Sequence, residues 1–339
     1  MRILLVFLLS LLPADAQWQP QNSGTDASLR GISAVSDRVA WASGAKGTVL
    51  RTVDGGEHWQ RIAVDGAQAL DFRDIQAIDA DTAYILSIGP GEQSRIYKTA
   101  DAGQHWKLQF TNRDPKAFYD CFAFWDSKHG IALSDSIDGR FPLLTTADGE
   151  SWTQVTPQTM PAALNNEGAF AASGTCITTQ GKKDVWFVTG GPAARVFHSR
   201  DRGRNWTVVN SPIISGAAPQ GIFSIAFRDR THGVIAGGDY QNAKSPDRNM
   251  AITGDGGEHW ELMPGPPGYR SAVAFLPGSA KPTMIAVGTT GSDFFVDGGK
   301  SWISLDTADY NALSLVGPAV GWAVGPNGRI ARFTGLPKP

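Results

Sequence analysis

Several familiar signatures are missing from this chain. It has two cysteines in 339 residues, too few for a disulfide-dense scaffold or a thiolate metal centre. Its six histidines include no two at metal-ligand spacing, so no metal is expected. Charged residues make up only 18%, and 30 Lys+Arg against 32 Asp+Glu leave a net charge of −2. That balance gives no electrostatic footprint for nucleic acid. No quinone, haem or nucleotide motif is present, and the Gly190-Gly191 and Gly237-Gly238 pairs follow strands without opening a helix. No cofactor is therefore expected.

Beyond residue 16 no apolar run is long enough to span a bilayer. The start of the chain does carry a targeting pattern. Arg2 precedes an apolar run over residues 3–12, and Ala14-Asp15-Ala16 is a small-x-small cleavage site. Residues 1–16 are read as a cleaved export signal, with 17–339 as one mature domain. The product is then periplasmic, secreted or in an equivalent lumen.

The chain is rich in glycine (39) and tryptophan (11), and it is repetitive. One pattern recurs as Thr52-x-Asp54-x-Gly56-x-x-Trp59, Thr99-x-Asp101-x-Gly103-x-x-Trp106, Thr146-x-Asp148 ahead of Trp152, Ser199-x-Asp201-x-Gly203-x-x-Trp206, Thr253-x-Asp255-x-Gly257-x-x-Trp260 and Asp297-x-Gly299-x-x-Trp302. The Trp-to-Trp steps are 47, 46, 54, 54 and 42 residues. That is the length of a four-stranded propeller blade. In the second unit, β-rich runs cover 72–78, 82–88, 94–99 and 105–110. Seven pairs of first and second strands are recognisable, against six Asp turns. The seventh unit ends after a third strand over 329–333, whereas Trp18-Gln19-Pro20 resembles the start of a fourth strand such as Trp59-Gln60-Arg61. The fold expected is all-β, a seven-bladed propeller whose last blade is completed by the N-terminal strand. Such closure removes the exposed sheet edges of an open array.

The repeated turn has a structural explanation. An Asp side chain accepts N–H groups of its own loop, Gly permits a positive φ, and Trp buries a large apolar area between sheets. Asp54, Asp101, Asp148, Asp201, Asp255 and Asp297 are therefore assigned to folding. Hairpin tips of separate blades do not converge on one ion. The pattern resembles the Asp-box, or BNR repeat, of sialidases, sortilin-type receptors and photosystem II assembly factors. The copy at Asp148 is one residue shorter, and Phe295 stands where the last copy should have Ser or Thr.

A binding site is sought on the other face, which carries the second-to-third loops and the links between blades. The long segments 135–140, 156–169, 210–220 and 239–249 belong there. Arg30, Arg73 and Arg270 start first strands near the axis, with Tyr119 and Asn311 in comparable places. Converging arginines suit a carboxylate, sulfate, phosphate or acidic protein surface. The alternative is that each pairs with an acid such as Asp71, Asp74 or Asp120. Asp135, Arg140 and Arg195 join the candidate surface. Glycosidase chemistry needs two carboxyl groups, or a Tyr–Glu pair and an acid, about 5–10 Å apart. Glu167, Asp138, Asp239 and Tyr240 are the candidates for that alternative, although the Arg-Ile-Pro signature of sialidases is missing. Cys121 and Cys176 lie at similar depth on first strands of neighbouring units. A disulfide and two buried thiols both fit that placement.

The whole mature chain resembles photosystem II stability/assembly factor-like propellers. The resemblance implies a lumenal or periplasmic scaffold that holds partner proteins, with basic residues on one face as the contact. Read as a whole, the chain is expected to be a non-catalytic monomer without cofactor that binds a protein or acidic small ligand on its loop face. The positions here that match such a contact are Arg30, Arg73 and Arg270. The runner-up is a sialidase-like glycoside hydrolase acting on an acidic sugar.

Overall fold

The structure is a computed structural model that describes residues 17–296 and 301–337. Residues 1–16, read from the sequence as an export signal, and the turn at Asp297 lie outside the described residues. Seven antiparallel sheets form among the described residues. Numbered from the axis outward, blade 1 is Leu29–Ala34, Ala40–Gly44, Thr48–Thr52 and Gln60–Ile62. Blade 2 begins with Asp71–Ala77, blade 3 with Tyr119–Phe124, blade 4 with Ile177–Gln180, blade 5 with Ala217–Phe227, blade 6 with Ala272–Phe275 and blade 7 with Ala312–Gly317.

The radial position of a strand sets its sequence pattern. Second strands such as Ala40–Gly44, Gly130–Ser134 and Asp184–Val188 are buried at every residue. Both of their faces pack against neighbouring blades, so they lack polar alternation. The outer strands Gln60–Ile62 and Thr153–Val155 are mostly exposed.

Trp18–Gln21 pairs with Ile330–Phe333 and supplies the fourth strand of blade 7. The Trp18 side chain is 4% exposed, and its indole N–H donates to Ser292 Oγ of blade 6 at 2.9 Å. Gln21 reaches the other way. Its Oε1 accepts the indole N–H groups of Trp322 and Trp59, both at 3.0 Å, and its Nε2 donates to the Gly55 carbonyl at 2.9 Å. One short N-terminal strand therefore ties blades 6, 7 and 1.

The inner seams use side chains on neighbouring backbones. Ser33, Ser224 and Ser314 accept the N–H groups of Ala77, Val273 and Ala34, each at 3.0 Å. Between blades 3 and 4 the seam is covalent, because Cys121 and Cys176 form a disulfide with Cα atoms 6.2 Å apart.

The segment over 210–220 is less of a loop than the sequence implies. The inner strand of blade 5 extends over Ala217–Phe227, and its start pairs with Gly190–Gly191 as a fifth strand. Gly190 permits this contact, since a Cβ there would stand 2.3 Å from the Phe170 ring. The link over 156–169 also departs from the expectation that it lies wholly on the loop face. Gln158 and Thr159 exchange backbone hydrogen bonds with Arg204 and Trp206, beside the Asp turn of blade 4.

Candidate functional site

The Asp turns are complete in themselves. In the first, Thr52 Oγ1 donates to Asp54 Oδ1 at 2.8 Å and accepts the Gly56 N–H at 2.9 Å. Asp54 also takes the His58 N–H at 3.0 Å and contacts the His58 ring at 2.8 Å. Asp101, Asp201 and Asp255 repeat this cage, with Asn205 in place of histidine at Asp201. Asp148, in the shortened copy, accepts the N–H groups of Glu150 and Ser151. The His105 backbone N–H and then its ring hold the Asp101 carboxyl down at about 2. These carboxylates are committed to their own loops.

The opposite mouth of the ring is built by a recurring device. At the start of three inner strands, and midway along that of blade 5, the pairing skips one residue, a β-bulge, and the skipped residues are Arg30, Arg73, Asp120 and Phe223. Bulges re-aim a side chain out of the pleat, and here they bring these four groups around one short segment. That segment, residues 169–175, leads from blade 3 into blade 4. Arg73 donates to the Ala171 carbonyl at 3.1 Å and Arg30 to the Ala172 carbonyl at 3.4 Å. Phe170 stacks on Phe223 with centroids 3.8 Å apart. Ser173 donates to the Ser271 carbonyl of blade 6 at 2.9 Å, and Thr175 to Ser224 of blade 5 at 2.8 Å. Asp135 accepts the Ala169 N–H at 2.9 Å. The segment plugs the axis, gripped by Arg through its carbonyls and by Asp through an N–H.

Arg30 and Arg73 are the arginines at this mouth. Burial and the nearby Arg73 charge lower the Arg30 pKa. Arg73 also pairs with Asp71 at 2.9 Å, whereas Arg30 has no ion pair among the described residues. Arg270 does not join them. It precedes the strand Ala272–Phe275, is 1% exposed, and turns into blade 6 to pair with Asp293 and to donate to Thr290 and the Tyr269 carbonyl, both at 2.8 Å. Two arginines converge at the mouth, where the sequence implied three. Tyr119 is 2% exposed and packs edge-on against Phe110, with burial pushing its pKa up to about 12. Its neighbour Asp120 takes the bulge position instead. Asn311 serves a seam, donating to the Leu29 carbonyl at 2.8 Å.

Glu167 and Arg195 form a buried ion pair. Arg195 donates from Nε at 2.7 Å and also from Nη2, while Glu167 accepts Thr189 Oγ1 at 2.6 Å and the Leu164 N–H at 2.8 Å. Both carboxylate oxygens are thereby occupied. Asp138 is exposed, adopts φ 49° and meets Lys116 Nζ at 3.3 Å. Asp239 accepts the N–H groups of Gln241 and Asn242 in its own loop, while Tyr240 is 48% exposed. Asp135, Asp138 and Glu167 do line one cavity of about 610 Å³. Asp239 is not among its walls. Arg140 is exposed beside Asp114 and Asp138.

Sequence reasoning missed the plug, Phe170 to Thr175, and named the acids beneath it, Asp74 and Asp120, only as partners for the arginines. Asp120 is 1% exposed, and burial together with the charge of Asp135 raises its pKa well above the carboxylate range. Asp74 is 7% exposed, accepts the Phe122 N–H at 2.8 Å, and is likewise raised by burial. The one available signal was the alignment of Asp120 with Arg30 and Arg73 at the start of first strands.

Comparison with known proteins accords with this architecture. Residues 12–123 match the sequence model of a family described as photosynthesis system II assembly factor YCF48. The photosystem II assembly lipoprotein Ycf48 of Synechococcus sp. (strain CC9902) is 24% identical over 229 residues, which cover 66% of this chain and 58% of that protein. The alignment thus spans less than two thirds of that curated relative. Among solved structures, YCF48 bound to a D1 peptide superposes with a TM-score of 0.66 at 14% identity, covering 94% of this chain and 96% of that one. YCF48 from Cyanidioschyzon merolae gives 0.65 at 16% identity, covering 94% and 99%. A streptogramin B lyase gives 0.66 at 12% identity, covering 94% and 98%, so these superpositions report the fold alone. The chain is a seven-bladed propeller that resembles the photosystem II assembly factors.

Proposed function

We propose that this chain is an exported, non-catalytic propeller that holds a protein partner on its loop face, with Arg30, Arg73 and Arg140 contacting an acidic segment of that partner. The observation that carries the proposal is the pair of guanidinium groups at the mouth. Burial first and then the Arg73 charge lower the Arg30 pKa, and Asp71 is the one carboxylate ion-paired to either of them among the described residues. Such a site favours a carboxylate that approaches from solvent. Tyr240, exposed at the edge of the Phe170–Phe223 stack, offers an aromatic contact beside it. The Ycf48 relatives, one of them solved with a D1 peptide, support a protein partner. The commitment of Glu167 to Arg195 argues against its use as a glycosidase acid.

The test is capture of partners from the native envelope fraction by immobilised protein. An Arg30→Glu/Arg73→Glu variant should lose the captured partner, and Arg61→Glu, on the exposed outer strand of blade 1, should retain it. Equal capture by all three proteins would refute the assignment.

A further inference from the structure

The seams between blades differ in how the tryptophan of the Asp turn is satisfied, and the difference opens a cavity away from the arginine mouth. Gln21, on the outer strand of blade 7, accepts the Trp59 indole N–H of blade 1 and donates to the Gly55 carbonyl of the same turn. Gln109, on the outer strand of blade 2, does the same toward blade 3. It accepts the Trp152 indole N–H and donates to the Gly149 carbonyl, both at 3.0 Å. Gln21 and Gln109 stand third after Trp18 and Trp106, and the third residue after Trp152 is Val155. With no amide to meet there, the Trp206 indole of blade 4 donates to the Gly203 carbonyl of its own turn at 2.9 Å. A cavity of about 560 Å³ lies at this seam between blades 3 and 4, and Val155 and Gly203 both line it.

Trp125, Val155 and Pro157 supply apolar wall. The Trp125 ring is fixed by its indole N–H, which donates to the Asp184 carbonyl at 2.8 Å. Pro157 belongs to the link that leaves blade 3, and that link is pinned across the seam. The Gln158 N–H donates to the Arg204 carbonyl at 2.7 Å, and the Trp206 N–H to the Thr159 carbonyl at 3.0 Å. The ionisable residues in the walls are His129, Arg202 and Arg204, with no acid among them. Arg202 donates from Nε to the Lys182 carbonyl at 2.8 Å, which sets its guanidinium 5.8 Å from the Trp125 ring centre. Asp126, outside the cavity, meets Arg202 at 3.9 Å and His129 at 2.9 Å. Arg204 is exposed and has no ion pair among the described residues.

We propose that this seam cavity binds a small aromatic carboxylate, with the ring against Trp125, Val155 and Pro157 and the carboxylate at Arg204 and Arg202. Its volume falls in the range of small-molecule pockets. Guanidinium groups beside apolar wall, with no acid among the lining residues, favour an anion that carries a flat apolar body. At the two seams that have glutamine, the amide occupies the place between tryptophan and turn. This site is independent of the partner surface around Arg30 and Arg73.

The experiment titrates the mature protein with indole-3-acetate, neutral indole-3-acetamide and acetate, and reads the backbone amide NMR shifts of Gly130 and Gly203, which both line the cavity. Indole-3-acetate should saturate both shifts and bind about tenfold more tightly than the neutral amide, the factor expected for one charge-assisted contact. Acetate alone should not saturate them. Arg204→Gln should lose the same factor and leave the urea midpoint unchanged. Val155→Gln installs at this seam the residue that Gln109 supplies between blades 2 and 3, and it should abolish saturation. Ile62→Gln, the same replacement between blades 1 and 2, should bind as wild type does. Equal affinity for the acid and the neutral amide, glycine signals that do not respond, or full binding by folded Val155→Gln would overturn the proposal. Should Val155→Gln fail to fold, the comparison of acid with neutral amide and the Arg204→Gln titration still decide it.

Discussion

Removing the Glu167 carboxylate should destabilise the protein by far more than any surface acid would. In the fold, Glu167 accepts four hydrogen bonds: two from Arg195, one from Thr189 and one from the Leu164 N–H. Its side chain is fully buried and that of Arg195 is 10% exposed. Glu167→Ala leaves the guanidinium with the Ala162 carbonyl as its remaining hydrogen-bond acceptor. Breaking a buried pair from one side costs about 3–5 kcal/mol. With an unfolding entropy of about 2.1 cal/mol/K per residue over roughly 300 residues, that is a fall in Tm of about 5–8 °C. Glu167→Gln keeps one carbonyl acceptor and should lose about 1–3 kcal/mol. A Glu167→Met/Arg195→Met double variant removes both charges and should recover most of the loss, because buried pairs exchange for apolar groups at little net cost. Urea unfolding of the three variants supplies the test. A loss below about 1 kcal/mol in Glu167→Ala, or a double variant as unstable as the single one, would refute the account of Glu167 as a strut.

Three further outcomes follow from the same geometry. Trp18→Ala should cost about 3–5 kcal/mol by opening blade 7, and near-native stability by urea unfolding would contradict closure by the N-terminal strand. Cys121→Ser/Cys176→Ser opens a loop of 55 residues and should cost about 4 kcal/mol on loop entropy, which denaturation of the variant against the oxidised protein would measure. Asp101 and Asp135 should show opposite pH trends. Asp101 is held down at about 2, so its stabilisation is complete above the unfolded value near 4 and drains as pH falls from there toward 2. Burial raises Asp135 to about 6, so its charged form opposes folding, and that penalty grows as pH rises from about 4 through 6. Asp135→Asn, which can still accept the Ala169 N–H, should therefore gain on wild type between pH 4 and 8. A stability difference that stays flat over that interval would count against a buried, raised carboxyl.

The sequence carries the ring because every blade repeats one chemically readable turn. Thr52, Asp54, Gly56 and Trp59 each satisfy a local need, and the same needs recur at fixed steps. The closing strand was legible for a related reason: Trp18 repeats the start of a fourth strand, and it pairs opposite Phe333. The site was less legible because its geometry depends on register. Arg270 stands close to a first strand in sequence, as Arg30 and Arg73 do, yet those two sit on bulges whereas Arg270 precedes its strand and folds back to Asp293. Nothing local distinguishes the two cases. The plug is harder still. Phe170, Ala171 and Ala172 are ordinary link residues in sequence, and their place on the axis comes from contacts with blades 1, 2 and 5.

That plug changes what a partner can reach. An open propeller channel would let an acidic segment enter along the axis and neutralise Arg30 and Arg73 from within. Here the Ala171 and Ala172 carbonyls already occupy the inner side of both guanidinium groups. An incoming carboxylate is left with the solvent side of the mouth, where Tyr240 is exposed, while Arg140 lies in the exposed loop 135–140. Contact on that side is shallow and charge-dominated, so its affinity should weaken with salt more steeply than an insertion into the axis would. The cavity behind the plug is walled off from that side by Ser173, Gly174 and Thr175 and is lined by the inner strands of all seven blades. Residues 169–175 are therefore the partition between the solvent side of the mouth and the cavity behind it.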